Sequence, residues 1–96
     1  MTIFAVQYQY NDLPDVRAAA LMEHRAFLAA LAADGRLLGA GAYTGGVPGA
    51  LLVFDVAGRV ALDAVLASDP FAHVGLLAST DVREWSITSG PWAAVV

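Results

Sequence analysis

The sequence predicts an α+β fold with the element order β-α-β-β-α-β, built on one four-stranded antiparallel sheet. Three observations lead to this prediction: a first segment with alternating apolar residues, a long segment with helical spacing, and a glycine-rich turn between two short apolar segments. Because crossover connections are right-handed, both helices are expected on one face of the sheet. This arrangement is the ferredoxin-like sandwich, and residues 1–96 are enough for one such domain.

Residues 2–10 are predicted to form the first strand, because every second side chain is large and apolar. The side chains that share this face are Phe4, Val6, Tyr8 and Tyr10. A long helix is expected from Pro14 to about Asp34, since proline is favoured in the first turn of a helix. Gly35 then suits the position that follows a helix end.

Two further strands are expected at residues 36–43 and 50–56, joined by a loop rich in glycine. The second of them is apolar on both faces, which is typical of a central strand. A second helix is predicted for residues 59–68, and Asp69 ends it because the residue before a proline avoids the helical region. After a loop, residues 79–87 carry more polar side chains and are predicted to form an edge strand.

The composition excludes several classes of protein. Nine acidic residues and five arginines give a net charge of −4 without any basic cluster, so nucleic acid is not an expected partner. The chain has no cysteine, which excludes disulfides, thiolate zinc sites and cysteine nucleophiles. No apolar run is long enough to span a membrane and no signal peptide is recognised, so we expect a cytoplasmic protein.

A second copy of the chain is the expected protein partner. Charged residues make up only 15% of a small chain whose hydrophobic fraction is 58%, and the predicted fold leaves one face of the sheet without helices. A homodimer that stacks two sheets face to face would cover this apolar surface. The tail of residues 89–96 is also apolar, and no element is assigned to it.

His24 and Asp69 are the candidate catalytic residues. His24 lies within the apolar stripe of the first helix, and Asp69 continues the i, i+3, i+4, i+7 series of the second, so both polar side chains point towards the sheet. A buried polar group needs a partner. His24 is either a structural residue bonded to a backbone carbonyl or a pocket residue that exchanges protons. Asp69 either bonds loop amides or orients His24 and makes its other ring nitrogen more basic.

Further side chains are candidates for the walls of a pocket. Arg17 lies near His24 on the same helix and would bind an anionic substrate group, although an ion pair with Asp or Glu is the favoured alternative. Four aromatic residues would line an apolar pocket, or else belong to the core: Tyr8, Tyr10, Phe71 and Trp85. His73 is expected to be structural or exposed, because two histidines without cysteine make a metal site unfavourable.

A family resemblance runs through residues 3 to about 88. It is carried by Arg17, the segment His-Arg-Ala-Phe-Leu at 24–28, Leu31, Gly35, Leu37-Leu38, Gly41, Asp69-Pro70-Phe71 and Gly75-Leu76. With these residues the chain resembles the YciI-like (YCII-related) domain family. The resemblance implies the fold of the dimeric α+β barrels and an active site that pairs His24 with Asp69. One family relative is a dehydrochlorinase of a hydroxylated, chlorinated aromatic ring. The family often has Gly-Pro where this chain has Gly41-Ala42, which bears on the shape of the pocket.

The leading functional hypothesis is a small cofactor-independent enzyme that moves protons on a small cyclic or enolisable organic substrate. His24 would act as general base or acid and Asp69 would orient it, in an elimination or an isomerisation, as in a lyase or isomerase. One alternative is a binding or accessory module that uses the same pocket without chemistry. Another is a structural dimer whose tail, with Trp92, wraps its partner. A hydrogen-bonded His24–Asp69 pair that opens on a cleft would favour the enzyme.

Overall fold

The computed structural model describes residues 1–94 and confirms the α+β fold in the predicted order of strands and long helices. One short helix is added after the second long helix. The elements are β1 (Thr2–Tyr10), α1 (Pro14–Ala33), β2 (Leu37–Ala42), β3 (Gly49–Val56), α2 (Arg59–Ala67), α3 (Pro70–His73), β4 (Leu77–Glu84) and a 3₁₀ turn (Pro91–Ala94). No helix in this described range is both long and apolar enough to cross a bilayer.

The sheet has the strand order β2-β3-β1-β4, and all neighbouring strands are antiparallel. Strand β3 is therefore interior and β4 lies at an edge, as predicted. Phe4 lies opposite Phe54 and Tyr8 lies opposite Ala50, so the large residues of both central strands share one face. That register points Tyr8 towards the helices.

The helices pack on this face and enclose the core. Leu52 and Phe54 of β3 are almost completely buried there, together with Leu62 of α2. Each such side chain contributes about 1.5–3 kcal/mol to the free energy of unfolding through its burial. Helix α1 ends as expected: Gly35 adopts a φ of 84°, and the Arg36 N–H donates to the carbonyl of Leu31 at 3.0 Å. These contacts satisfy carbonyls that the helix end would leave unpaired.

Helix α3 was not predicted, because residues after Asp69 were expected to form a loop. The Asp69 carboxylate accepts the Phe71 N–H at 3.0 Å, which caps the first turn of α3. Strand β4 also differs, since it covers Leu77–Glu84 where 79–87 was expected. It begins early because Tyr10 pairs with Leu77 across a register shift, and its last pair joins Glu84 to Phe4, near the start of β1.

The sheet face opposite the helices is neither bare nor uniformly apolar, which corrects the expectation. On β1 and β4 it carries polar side chains, among them Gln7 and Asp81, which pair across the two strands. On β2 and β3 it is covered in part by Trp92, which lies over Gly39 and lines a groove with Val53. The apolar tail therefore packs on its own sheet as far as it is described, and residues 95 and 96 of the predicted tail lie outside the described residues.

Candidate functional site

Three elements bring polar side chains together beneath α1. His24 of α1, Tyr8 of β1 and Asp69 at the start of α3 are all buried, and Asp69 is completely inaccessible. The His24 Nδ1 lies 2.7 Å from Asp69 Oδ1, and the Tyr8 hydroxyl donates to Asp69 Oδ2 at 2.8 Å. Asp69 therefore bonds both the amide of Phe71 and the ring of His24.

The hydrogen bonds decide the charge of Asp69. Burial opposes ionisation of the carboxyl group, but the bonds from His24, the Phe71 N–H and Tyr8 outweigh it and hold the pKa of Asp69 below its usual range. Burial, with the neighbouring charge of Asp69, raises the pKa of Tyr8 far above its ordinary value, so its hydroxyl stays protonated. Tyr8 is thus a permanent donor to an ionised Asp69.

This charge state fixes the tautomer of His24. An ionised carboxylate only accepts hydrogen bonds, so the Nδ1 of His24 must carry a proton and donate it to Asp69. In the neutral ring the Nε2 is then unprotonated, and it has no hydrogen-bond partner among residues 1–94. The geometry leaves one basic nitrogen of His24 free to accept a proton.

The orientation of the His24 ring is also set by stacking. The ring of Phe71 lies parallel to it, with centroids 3.7 Å apart and an interplanar angle of 7°. Tyr10 contacts Phe71 edge to face, with centroids 5.7 Å apart. The Asp69-Pro70-Phe71 segment therefore supplies both the carboxylate that bonds His24 and the ring that packs against it.

A pocket of about 480 Å³ opens beside His24, within the size range of small-molecule sites. Its lining residues come from α1, from β2 and β3, and from Tyr10 and Phe71. The lining residues that carry its chemistry are His24, Arg17, Arg25, Tyr10 and Phe71, among small and aliphatic side chains. Asp69 does not line the pocket, so a ligand would contact His24 and not the carboxylate behind it.

The remaining predicted site residues have different places. Arg17 and Phe71 line the pocket. Tyr8 does not line it, because the residue points beneath α1 and its hydroxyl bonds Asp69. Trp85 lies at the end of β4, beside Met1 and Ile3, where it contacts Trp92 edge to face with centroids 6.5 Å apart. Trp85 is thus not a wall of this pocket, since β4 is the edge strand farthest from β2.

Arg17 does not form the ion pair that was favoured for it. Its guanidinium lies over the ring of Tyr10, 4.6 Å from the centroid, and no carboxylate of residues 1–94 lies within ion-pair distance. The cation–π contact accounts for its position, because Tyr10 ends β1 directly beneath the start of α1.

Arg25 and Leu21 line the pocket and are not among the predicted site residues, although Arg25 belongs to the His-Arg-Ala-Phe-Leu segment of the family resemblance. A signal for them exists, because residues 17, 21 and 25 repeat at i, i+4 and so form one row on the helix surface. The row flanks the buried stripe that holds His24. This row lines a pocket because β2 and α1 enclose a cavity between them. The helical spacing alone does not show that β2 lies there.

His73 is an exposed residue outside the pocket. Its Nε2–H donates to the carbonyl of Ala67 at 2.8 Å, which joins α3 to the end of α2. No group of three His, Cys, Asp or Glu side chains in the described part of the chain is arranged to bind a metal ion.

Comparisons with known proteins agree with this architecture. The profile of the YCII-related domain matches residues 1–86. Among solved structures, 5-chloro-2-hydroxyhydroquinone dehydrochlorinase (TftG) from Burkholderia phenoliruptrix AC1100, in complex with 2,5-dihydroxybenzoquinone, has a TM-score of 0.78 and 23% identity, covering 86% of this chain and 92% of that one. Rv0793 from Mycobacterium tuberculosis has a TM-score of 0.54 and 17% identity, covering 94% of this chain and 97% of that one. At these identities the likeness concerns the fold. No protein of curated function matches the sequence.

Proposed function

The chain belongs to the YCII-related domain family, and from that premise we propose that it is a small enzyme that transfers protons on a small organic substrate. One observation carries the proposal. The Nδ1 of His24 lies 2.7 Å from Asp69 Oδ1, while the ring itself lines a pocket. A histidine held in this way presents a single free nitrogen to whatever occupies the pocket.

The reaction begins with His24 as the base. In an elimination from a hydroxylated, chlorinated ring, its Nε2 takes the proton of a ring hydroxyl and delivers it to the carbon that bears chlorine, which gives the keto form of the ring. Nε2 then takes the proton of a second ring hydroxyl. The electron pair of that O–H bond forms the second C=O bond of the quinone, the ring double bond shifts, and chloride leaves with the electron pair of the C–Cl bond. His24 releases the proton to water. In an isomerisation, Nε2 takes a proton from a carbon next to a carbonyl and returns it to a different carbon of the same molecule.

Asp69 and Tyr8 act through His24. When Nε2 takes up a proton, the imidazolium forms next to an ionised Asp69, which stabilises the new charge. Tyr8 and the Phe71 amide keep Asp69 in place and ionised. General base catalysis by such a positioned histidine contributes about 10²–10⁴-fold to the rate.

Elimination of chloride is the favoured reaction. The dehydrochlorinase that shares this fold has a substituted six-membered ring as its ligand, and the pocket of this chain is of a size for such a ring. The pocket wall at Phe71 and Tyr10 is aromatic, which suits a flat ligand. A module that binds the same ligand without turnover is the alternative.

Two copies are proposed to associate through the sheet face opposite the helices. Tyr43 and Val47, in the loop between β2 and β3, are large apolar side chains left exposed in the single chain. The apolar side chains around Trp92 lie on the adjoining part of that face. Light scattering over a range of protein concentrations tests this directly, and a monomer at every concentration contradicts it.

The test of function is chloride release from 5-chloro-2-hydroxyhydroquinone, measured for the wild type, His24→Gln and His73→Gln. The His73 variant is the matched control, because it removes the other imidazole at an exposed position outside the pocket. We expect His24→Gln to lose about 10²–10⁴-fold in rate and His73→Gln to match the wild type. Equal rates for both variants contradict the proposal, and binding without turnover by the wild type favours the non-catalytic module.

A further inference from the structure

Two arginines on the pocket wall have no carboxylate partner in the described residues, although the chain is rich in acid. The sequence contains nine acidic residues and five arginines. Arg36 and Arg59 pair with Asp34 and Asp63, at 2.8 Å in each case. Arg17, Arg25 and Arg83 form no ion pair within residues 1–94, and the first two of these line the pocket.

The two cations flank the pocket along helix α1. Eight residues separate them, which is about 12 Å along a helix axis. Arg17 lies over Tyr10 towards the start of the helix, and Arg25 directly follows His24 in sequence. No acidic side chain among residues 1–94 lines the pocket. A flat ligand in the pocket therefore meets two arginine side chains together with His24, since all three line it.

We infer that the pocket selects small planar organic anions, with a carboxylate or an ionised phenol on the ring, and that Arg25 is a specificity-determining residue for them. The inference rests on the proposed function, since it names the substrate class of the same site. A guanidinium recognises a delocalised oxyanion with two parallel hydrogen bonds. A neutral ring of the same shape would fill the apolar part of the pocket but leave both cations without a partner.

Arg25 has a second consequence for the reaction. When His24 removes a proton from the substrate, negative charge spreads onto the ring oxygens. A cation on the wall of the same pocket stabilises that charge as it develops, which is the interaction that accelerates a chemical step. Arg17 is farther along the helix and serves to anchor the ligand.

The probes for this inference are 2,5-dihydroxybenzoate and 2,5-dihydroxybenzamide, which share one ring and differ in charge. Their dissociation constants are measured by calorimetry for the wild type, Arg25→Gln, Arg17→Gln and Arg83→Gln. Arg83 is the matched control, because it is an exposed arginine on β4, away from the pocket, that forms no ion pair with any of the described residues. Circular dichroism verifies that each variant is folded.

We expect the wild type to bind the benzoate about tenfold more tightly than the benzamide, and Arg25→Gln to remove most of that preference, because the single carboxylate bonds one guanidinium. Arg17→Gln should remove less of it. Arg83→Gln should keep it. Equal binding of the two probes, no detectable binding of the benzoate, or an equal loss in Arg83→Gln overturns the inference. The outcome is separate from that of the proposed function, because His24→Gln affects turnover and is expected to keep the preference for the benzoate.

Discussion

The rings of His24 and Phe71 lie parallel, with their centroids 3.7 Å apart. Phe71 is also two residues after Asp69, which bonds the same histidine. A single short segment at the start of α3 thus fixes His24 both by a hydrogen bond and by stacking. The relationship joins α1 to α3 across 45 or more residues of sequence.

Removing the stacked ring tests this relationship. Phe71→Leu should lower the free energy of unfolding by about 1–2 kcal/mol, since an aromatic side chain is replaced by a smaller one in a packed site. It should also slow turnover, because His24 loses the surface that orients it. Phe27→Leu is the control, because Phe27 lies on α1, like His24, and packs against the core without lining the pocket. Equal kinetic effects of both variants would argue against an orienting role.

The lowered pKa of Asp69 predicts a defined acid dependence. The pKa of Asp69 is near 3.8 in the unfolded chain and lower in the folded protein. Between these two pKa values the unfolded state binds more protons than the folded state, so the free energy of unfolding decreases as the pH falls. The stabilisation by the charge of Asp69 is complete above pH 3.8 and is lost as pH falls through the folded pKa. Asp69→Asn should cost about 1–3 kcal/mol at neutral pH.

Urea unfolding of the wild type and Asp69→Asn between neutral pH and acid measures this difference, which should shrink as pH falls. Asp12→Asn, in an exposed loop, is the control and should change the unfolding free energy by less than about 0.5 kcal/mol. A difference between wild type and Asp69→Asn that grows in acid would contradict the hydrogen-bonding account of the carboxylate.

The raised pKa of Tyr8 predicts that the protein also loses stability as the pH rises into the alkaline range. The folded pKa of Tyr8 is raised above the ordinary value of 10.0, so the unfolded state loses its proton first and stability falls as pH rises above that value. Tyr8→Phe should cost about 1–2 kcal/mol at neutral pH, because Asp69 loses a donor. It should also flatten the alkaline decline, though not abolish it, since burial raises the pKa of Tyr10 as well.

The measurement is chemical unfolding on both sides of pH 10, the ordinary tyrosine pKa. Tyr43→Phe is its control, because Tyr43 is 43% exposed in the loop after β2. An unchanged alkaline slope in Tyr8→Phe would show that burial beside Asp69 does not raise the pKa of Tyr8.

Gly39→Ala should displace Trp92 from the sheet. A Cβ at position 39 would lie 2.8 Å from two ring atoms of Trp92, so the indole must move. Gly41→Ala is the matched control, because a Cβ there meets nothing within 4 Å. Tryptophan fluorescence in a Trp85→Phe background reports on Trp92 alone, and we expect a shift in Gly39→Ala only. The same spectrum for both alanine variants contradicts the placement of Trp92 on the sheet.

The positions of His24 and Asp69 in the helical repeat explain why these two site residues could be predicted from the sequence. His24 and Asp69 each continue an apolar series, so their inward direction follows from local periodicity. Alternation in β1 likewise predicts that Tyr8 points inward, but not that it bonds Asp69, which is 61 residues away and placed by the register of the sheet.

The other features depend on long-range packing. Trp85 was a candidate for the pocket wall because it is aromatic. The strand order places β4 at the edge of the sheet opposite β2, and the sequence alone does not show this. Arg25 is exposed, and it lines a pocket because β2 lies across a cavity from α1. The contact between Trp92 and Gly39 likewise could not be predicted, because it requires the C-terminal tail to fold back over β2.

The position of the proton on each of the two histidine rings tests the role of His24 most directly, and long-range ¹H–¹⁵N NMR of the imidazoles measures it. We expect neutral His24 to carry its proton on Nδ1, which donates to Asp69, and His73 to carry its proton on Nε2, which donates to Ala67. Asp69→Asn should alter the pattern of His24 and leave that of His73 unchanged. A proton on Nε2 of neutral His24 in the wild type would contradict the account, because no free basic nitrogen would then face the pocket.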